Sequence, residues 1–583
     1  MELTCSACIK LRDGFSSLED NYAADLSLLS TILDEPCPSH NALFRYIKAQ
    51  LTTKDTEIYL FRVSANHPLE ILFEDGSGGI RRMEFVVTKA RDGSRSFRRW
   101  ASCHGRIFDP HWIDVGLVKS WIERCATLHG NTCAEPFRIV RVSPDWLIDT
   151  LDACVVPGRG ITDYVAMSYR WGASKGFQIG AEFEVIRKPG ALFEKNVTDK
   201  IPLSISHTIQ LVRSLGERYL WIDALCIDQS DKVHFGRQIE MMGAIYASAK
   251  LTVVATDGDA NTGIKGLRGV SQSRDLESVV LPLFENSTII RTETIRNYDN
   301  KTNNDGYIKG TPEYFQRGWT HQEFHLSKRR LMFYGERVFW QCTCADWYED
   351  LIETERLPSK WWSPFSSSVM LKGVPDLLEL NLALRGYAKR EHSYAEDSLP
   401  GITGLLSILS RSFEGGFLCG LPEACFDATL MWTAEGGCRR RVNSGRNHSA
   451  LISPLPSWSW VGWQIDWLSI APGEALSIMG AGNRRRTTPI TQWFTHESPN
   501  SGLKRPIRTT WFNFHRLLKV ELVAICLQRR EERSELRYGK WYDAYGVFWI
   551  KWIDGVAYRE GQGYVFKDMW DSHDLGDVDL VLG

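Results

Sequence analysis

The sequence predicts an α/β protein in which a parallel-sheet domain lies between a mixed α+β N-terminal region and a β-rich C-terminal region. Between positions 160 and 270, short apolar runs alternate with amphipathic helical segments, which is the pattern of parallel strands joined by crossover helices. Residues 545–566 instead alternate apolar and polar side chains around Asp554-Gly555, which predicts an antiparallel hairpin. We therefore predict three regions: an N-terminal α+β region at 1–150, the parallel-sheet domain at 160–345, and a C-terminal region at 346–583 that ends in antiparallel strands.

The N-terminal region contains both helical and strand patterns. We predict a helix near 19–33 and strands at 58–63 and 84–88. An amphipathic helix follows, because apolar side chains recur there with helical spacing. Its predicted buried face consists of Val118, Trp121, Ile122, Cys125, Leu128 and His129.

Three strands and two helices are predicted in the parallel-sheet domain. The strands are the apolar runs 164–169, 219–223 and 250–256. The first helix begins at Pro202 and ends at Gly216, since proline favours the first turn and glycine the position after the last. The second helix is predicted at 238–249.

Composition and charge restrict the class of protein. The chain has 583 residues, of which 43% are hydrophobic and 24% are charged, and this excludes a disordered, collagenous or coiled-coil protein. Its net charge is −2, which disfavours a nucleic-acid-binding protein or a polybasic membrane-surface protein. The N-terminus lacks an apolar signal segment and no apolar run reaches membrane-spanning length. We therefore expect the 14 cysteines to be reduced, in the cytosol or the nucleus, and we predict a cytoplasmic protein.

Polar side chains follow the predicted parallel strands. Ligands of open α/β sheets bind at the carboxyl ends of the strands, so these side chains are candidates for ligand binding. Trp171 and Asp223 would suit a nucleotide-like ligand through stacking and hydrogen bonding. Alternatively they brace loops, Asp228 caps the next helix, and Cys226 is a buried thiol. The candidate residues are Ser168, Tyr169, Arg170, Trp171, Asp223, Cys226, Asp228 and Gln229, with Asp257 at the same edge.

Four motifs in order resemble the fungal heterokaryon incompatibility (HET) domain. They are YVAMSYRWG, IPLSISHTIQLVRSLGERYLWIDALCIDQ, QIEMMGAIYASAKLTVVATDGDANTGIKGL and RGWTHQEFHLSKRRLMFYGERVFWQC, which lie within 164–342. Three further segments, AEDSLPGITGLL, PSWSWVGW and WIDGVAYREGQGYVF, are similar to the tails of longer members of that group.

This resemblance implies a role in fungal non-self recognition, in which cell death follows the fusion of incompatible cells. It also implies a distant relationship to TIR domains, which have a flavodoxin-like α/β fold and in some cases cleave NAD⁺ with a catalytic glutamate. NAD⁺ is therefore a candidate substrate. The alternative is a signalling or scaffold protein without enzymatic activity, which acts by association with a protein partner or with itself.

The resemblance also indicates candidate catalytic residues. Many members carry an acid five positions after the glutamine of the CIDQ motif, where this chain has His234. Glu323 and Glu240 are then the candidate catalytic carboxylates, since a carboxylate stabilises a ribosyl cation. Trp319 and Gln322, in the same motif as Glu323, are expected to lie against the parallel-sheet domain. The alternative for Glu323 is a structural hydrogen bond.

Cysteine and histidine pairs near the N-terminus have the spacing of zinc ligands. Cys5 and Cys8 form one pair, and Cys37 and His40 form the other. The alternative is ordinary reduced cysteines. Cys125, His129 and Cys133 also lie near one helix end, but His129 and Cys125 belong to its apolar face, which favours the core. Cys342 and Cys344 alternate along a predicted strand and are expected to point to opposite faces.

Overall fold

The computed structural model describes most of the chain, in the segments that follow. These are residues 5–35, 37–51, 55–63, 67–74, 79–88, 104–172, 183–284, 287–292, 312–352, 377–442, 455–470, 487–489, 511–513, 521–531, 541–573, 575 and 580–583. None of the helices within them combines the length and the apolar character needed to span a bilayer.

Two compact units make up the structure. The first unit comprises Met1–Gln238, Ile245–Tyr314 and Ser327–Trp361. The second comprises Ile239–Ala244, Phe315–Leu326 and Trp362–Gly583. The region boundaries at 150, 160 and 345 stay predictions.

The described strands and helices are as follows, in chain order. The strands are β1 Tyr22–Leu28, β2 Glu57–Arg62, β3 Leu69–Glu74, β4 Ile80–Thr88, β5 His104–Gly105, β6 Trp146–Asp149, β7 Cys154–Pro157, β8 Val165–Tyr169, β9 Tyr219–Trp221, β10 Leu251–Ala255, β11 Val280–Leu283, β12 Ser287–Thr292, β13 Arg329–Tyr334, β14 Arg337–Cys342, β15 Asp346–Tyr348, β16 Phe417–Leu418, β17 Leu421–Pro422, β18 Thr433–Arg440, β19 Trp463–Ser469, β20 Thr487–Pro489, β21 Trp511–Asn513, β22 Glu521–Glu531, β23 Trp541–Ile553 and β24 Val556–Phe566. The α-helices are α1 Ser6–Ser16, α2 Leu29–Asp34, α3 Asn41–Ala49, α4 Val115–Ala134, α5 Phe183–Ile186, α6 Lys195–Thr198, α7 Leu203–Leu215, α8 Asp223–Cys226, α9 Lys232–Ser248, α10 Thr320–Leu326, α11 Leu377–Ala388, α12 Pro400–Leu409, α13 Phe426–Leu430 and α14 Lys567–Asp571.

The N-terminal sheet runs in the order β1-β2-β3-β4-β12-β11, with β5 paired to β4. Except for the parallel β4–β5 pair, its neighbours are antiparallel. Its apolar side chains form a core with those of α1, α2 and α3. The predicted helix at 19–33 is wrong for residues 22–28, which form β1. Asn21 and Ser27 have positive φ, and the pairing with β2 shifts its register between Asp25 and Ser27. This irregularity interrupts the alternation of side chains between the two faces, so the segment lacks the regular apolar–polar pattern of a strand.

The central sheet of the first unit confirms the predicted parallel strands. Its order is β15-β14-β13-β10-β8-β9-β6-β7. The four strands from β13 to β9 are mutually parallel, whereas β14, β15, β6 and β7 add antiparallel edges. β8 and β10 are buried along their whole length, as the central strands of a parallel sheet require. The sheet is therefore mixed and contains the predicted parallel core.

Local sequence determines where the crossover helices begin and end. α7 ends before Gly216, which has φ 85°, a conformation that glycine adopts without strain. Asp231 caps α9 by accepting hydrogen bonds from the backbone N–H groups of Val233 and His234. The suggestion that Asp228 caps this helix is therefore wrong, and the helix begins earlier than predicted because its cap is Asp231.

Strands of the second unit are antiparallel, as predicted for the C-terminal region. β22, β23 and β24 pair in sequence, and β18 pairs with β19. Asp554 and Gly555 join β23 to β24 with φ of 50° and 78°. Positive φ at both central positions is the requirement of the tight turns that suit twisted hairpins, which confirms the predicted hairpin.

Candidate functional site

The carboxylate of Asp223 holds together the edge at which β8 and β9 end. It accepts hydrogen bonds from Trp171 Nε1 at 2.7 Å, from Tyr169 Oη at 3.1 Å and from the backbone N–H of Ala224 at 2.7 Å. Asp223 is only 8% exposed, and Trp171 is half-buried. A carboxylate with three donors is well solvated by the protein, so this geometry agrees with the loop-bracing alternative.

Parallel pairing explains why these residues meet. β8 and β9 are parallel neighbours, so the residues that follow both strands lie at one edge. Asp257 follows β10 and accepts hydrogen bonds at 2.8 Å from the backbone N–H groups of Gly335 and Glu336. Burial raises the pKa of the Asp257 carboxyl group. Asp257 therefore braces the turn between β13 and β14.

Ser168 and Arg170 also have protein partners. Ser168 is fully buried, and its Oγ lies 2.7 Å from Tyr314 Oη. Arg170 forms an ion pair with Glu313. Both contacts tie β8 to the short segment at 313–314.

The residues after β9 contribute unequally to this edge. Cys226 is fully buried, and desolvation raises the pKa of its thiol to about 12, so it is an inert core cysteine. Asp228 accepts hydrogen bonds from the backbone N–H of Ser230 at 2.9 Å and from its hydroxyl group at 2.5 Å. Gln229 is half-buried.

Trp319, Gln322 and Glu323 belong to the second unit. Trp319 is 9% exposed, and its Nε1 donates to Asp397 at 3.0 Å. Gln322 Oε1 accepts from the backbone N–H of Gly404 at 3.2 Å. Glu323 is 3% exposed and lies in α10, whose residues are all buried. In the second unit, these residues therefore tie α10 to neighbouring segments.

Glu240 and His234 differ sharply in burial. Glu240 is exposed on α9, whereas His234 is 9% exposed. His234 Nε2 lies 3.3 Å from a carboxylate oxygen of Asp145, which also pairs with Arg237. A carboxylate thus lies beside the position at which the resemblance implied an acid. Sequence reasoning missed Asp145 because it is distant in the chain from the motif.

Cys5, Cys8, Cys37 and His40 come together as their spacing predicted, and we call them the N-terminal cluster. Their ligand atoms lie within 4.8 Å of one another. His40 Nδ1 lies 3.3 Å from Cys8 Sγ and 3.5 Å from Cys5 Sγ, and Cys8 Sγ lies 3.5 Å from Cys37 Sγ. Zn–S and Zn–N bonds of about 2.3 and 2.0 Å place tetrahedral ligand atoms roughly 3.3–3.8 Å apart. The residues therefore fit a zinc ion.

The second nitrogen of His40 fixes the tautomer that a metal ligand needs. Nε2 lies 3.3 Å from the carbonyl oxygen of Ile32. A carbonyl oxygen only accepts, so Nε2 carries the proton and Nδ1 of the neutral ring presents a lone pair to the three thiols.

Cys125, His129, Cys133 and Cys342 form a second group, which we call the α4–β14 cluster. Their ligand atoms also lie within 4.8 Å of one another. Cys125 is buried, as predicted from its place on the apolar face, and so is Cys133, whereas His129 is only half-buried. The cluster itself was not expected. The predicted opposite orientation of Cys342 and Cys344 is wrong, because residues two positions apart on a strand share a face, and the sulfur atoms of both lie near that of Cys133. β14 ends at Cys342, and Cys344 Sγ then lies 3.5 Å from Cys133 Sγ.

Comparison with known proteins identifies the segment that contains the Asp223 edge. Residues 164–323 match the family described as Heterokaryon incompatibility protein (HET). The chain contains a HET domain. This confirms the resemblance that the motifs indicated.

A curated relative agrees with the HET assignment. A segment of 133 residues is 32% identical to Heterokaryon incompatibility protein 6, OR allele, from Neurospora crassa. The aligned segment covers 21% of this chain and 19% of that relative, so the similarity spans about a fifth of the relative's length. No solved structure matches the chain. The HET segment contains β8, β9 and β10, and thus Ser168, Trp171 and Asp223.

Proposed function

We propose that this protein acts in heterokaryon incompatibility, the response in which fused fungal cells with unlike recognition proteins die. Two findings support the proposal. A HET domain occupies residues 164–323, and the curated relative that aligns with part of the chain is named for this process. In this proposal the HET domain is the part of the chain that triggers cell death.

The proposed mode of action is association with a protein partner or with another copy of the chain. The environment of the candidate carboxylates supports this choice. Asp223 already accepts three hydrogen bonds, and Glu240 is exposed to water. Glu323 is 3% exposed, so a substrate reaches it only through a cleft that admits a ribosyl group. These environments suit structural roles for the buried carboxylates, and they favour signalling through association with a protein partner or with another copy of the chain.

NAD⁺ cleavage is the second candidate, and the position of Trp171 supports it. The indole ring is half-buried and follows β8, at the edge where ligands of α/β sheets bind. In such a reaction a carboxylate stabilises the positive charge that develops as nicotinamide leaves. Glu323 is the candidate for this role. A TIR-like ancestry would add to the case, but it rests on analogy.

Regulated expression of the full chain in a fungal host tests both modes. We expect the number of viable cells to fall on induction, while the purified protein releases no nicotinamide from NAD⁺. Survival of the induced cells would contradict the proposed role in cell death. Nicotinamide release that is abolished by Glu323→Gln but kept by Glu240→Gln, an exposed control, would replace association with catalysis.

We also infer that the N-terminal cluster binds zinc as a structural site. The tautomer of His40 and the spacing of the sulfur atoms support this inference. Four protein ligands leave no open position for a substrate, which is typical of structural rather than catalytic zinc. Zinc measured in the purified protein and in Cys8→Ser tests it. We expect Cys8→Ser to contain about one equivalent less than the unsubstituted chain.

A further inference from the structure

Helix α4 breaks near its end, and the break brings two of its cysteines together. In a regular helix, Cys125 and Cys133 would lie about 12 Å apart along the axis, too far to share one metal ion. Gly130 lies between them with φ 45° and ψ −130°, which is far from helical geometry. Only glycine adopts such a backbone conformation readily. The redirected last turn places both sulfur atoms within 4.8 Å of the other cluster atoms.

The fourth residue of this group, Cys342, follows the HET segment in the sequence, whereas the other three precede it. Cys342 is the last residue of β14, and its Sγ lies 3.4 Å from His129 Nδ1. This separation is the one expected for sulfur and nitrogen atoms that occupy two corners of a zinc tetrahedron, roughly 3.3–3.8 Å. The imidazole ring of His129 lies against Trp347, with 5.4 Å between ring centroids. Its orientation is therefore set by packing.

A buried cation lies beside the sulfur atoms. Arg329 is 8% exposed, and its Nε lies 3.2 Å from Cys125 Sγ. Three thiolates and one neutral imidazole around Zn²⁺ leave a net charge of −1, which a guanidinium group offsets. Beside neutral thiols the same buried charge would gain little. Arg329 is thus placed to supply the countercharge that a zinc ion bound by three thiolates requires.

We propose that Cys125, His129, Cys133 and Cys342 bind a structural zinc ion that joins α4 to β14. Three soft sulfur ligands and one imidazole select zinc over magnesium or calcium, which prefer oxygen. Cys125 and Cys133 are fully buried and Cys342 is 5% exposed, so the site is closed to substrate. This proposal is independent of the proposed role in incompatibility.

Zinc content of the purified full chain, expressed in zinc-supplemented medium and kept reduced, tests the proposal. Cys8→Ser removes the N-terminal cluster from the count, so zinc retained by this variant belongs to the second site. We expect Cys8→Ser to keep about one equivalent, and Cys8→Ser with Cys342→Ser to keep less than about 0.2. A buried cysteine outside both clusters serves as the control, and Cys8→Ser with Cys226→Ala should keep its zinc.

A spectroscopic measurement keeps the proposal falsifiable if the double variant fails to fold. X-ray absorption of zinc-loaded Cys8→Ser should indicate three sulfur ligands and one nitrogen ligand at about 2.3 and 2.0 Å. Folded Cys8→Ser without zinc, or zinc surrounded by oxygen, would overturn the proposal. So would a disulfide between Cys133 and Cys344 in protein purified without oxygen. Loss of zinc in Cys344→Ser but not in Cys342→Ser would overturn the assignment of the fourth ligand.

Discussion

The two cysteine–histidine clusters of the first unit differ in how much chain each of them closes. Cys8 and His40 are 32 positions apart, whereas His129 and Cys342 are 213 positions apart. The N-terminal cluster fastens α1 to the segment before α3, and the α4–β14 cluster fastens a helix to a strand of the central sheet. Because loop-closure entropy grows with the logarithm of length, an unfolded chain would lose roughly 1.5–2 kcal/mol more in gathering the α4–β14 ligands around one ion than in gathering the N-terminal ones.

Their charged neighbours differ as well. Cys5 Sγ donates to a carboxylate oxygen of Glu35 at 3.2 Å, whereas Cys125 Sγ lies 3.2 Å from the guanidinium group of Arg329. A carboxylate favours the neutral thiol and a guanidinium group favours the thiolate. Two similar sets of ligands therefore have unlike charged surroundings, and of these two neighbours the guanidinium group is the one that can offset the negative charge of zinc bound by three thiolates.

Removal of metal should have the largest effect on stability. Zinc that binds the folded protein more tightly than the unfolded chain stabilises the fold, so we expect 1,10-phenanthroline to lower the melting temperature by at least about 10 °C. Added zinc should reverse the change. The isomer 1,7-phenanthroline, which does not chelate, is the control. An unchanged melting temperature in zinc-loaded protein would contradict a structural role for either cluster.

Single cysteine substitutions should separate the two clusters. Cys342→Ser and Cys8→Ser each remove one thiolate from a cluster, and we expect each to cost several kcal/mol. The cost of Cys342→Ser should exceed that of Cys8→Ser by up to roughly 1.5–2 kcal/mol, because zinc binding to the unfolded chain, which lessens the stabilisation, is weaker for ligands that lie far apart in the sequence. Urea denaturation followed by tryptophan fluorescence measures both, with Cys226→Ala as the control. Equal costs would show that chain closure does not distinguish the clusters.

The sequence predicts the N-terminal cluster but not the α4–β14 cluster, for a physical reason. Cys5-x2-Cys8 and Cys37-x2-His40 are local pairs whose spacing alone brings two ligands together. Cys125, His129 and Cys133 have a spacing that also describes the buried face of a regular helix. Nothing in that spacing signals the break at Gly130, and the fourth ligand comes from a distant strand.

In the HET domain, too, features set by local sequence are predictable and contacts between distant segments are not. The parallel strands were predictable because β8 and β10 are continuous apolar runs, and their order brings Trp171 and Asp223 to one edge. For Asp223 the sequence leaves ligand binding and loop bracing as alternatives, because its hydrogen bonds depend on loop conformations. Asp145 was missed beside His234, because that contact depends on tertiary packing between segments far apart in the chain.

A backbone substitution should affect one cluster alone. Alanine at position 130 is strained at φ 45°, so we expect Gly130→Ala to cost about 1–3 kcal/mol and to release the zinc of the α4–β14 cluster. Gly190→Ala is the matched control. Gly190 has φ 82°, and a Cβ atom at either glycine meets no atom within 4 Å. Melting temperature and zinc content measure the effects. Equal loss of zinc in both variants, or none in Gly130→Ala, would refute the role of the break.

The smallest expected effect on stability concerns the Asp223 edge. This edge is held by hydrogen bonds rather than by metal, so its substitutions provide a reference for those in the two clusters. Tyr169→Phe removes the 3.1 Å hydrogen bond to Asp223, and we expect a loss of about 1–2 kcal/mol, since the acceptor is a carboxylate oxygen. Tyr246→Phe is the matched control, because its hydroxyl group donates to the neutral carbonyl oxygen of Met167 at 2.8 Å.

The control should lose about 0.5–1.5 kcal/mol, as is usual for a hydrogen bond between neutral groups. Urea denaturation of both variants measures the difference. A larger loss for Tyr246→Phe would contradict the role of Asp223 as the acceptor that organises the edge. The stability loss of Tyr169→Phe also serves as a comparison for the clusters, since a bound metal ion stabilises the fold by more than one hydrogen bond does. If Cys342→Ser cost no more than Tyr169→Phe in zinc-supplemented protein, hydrogen bonds between thiols would suffice to explain the α4–β14 cluster.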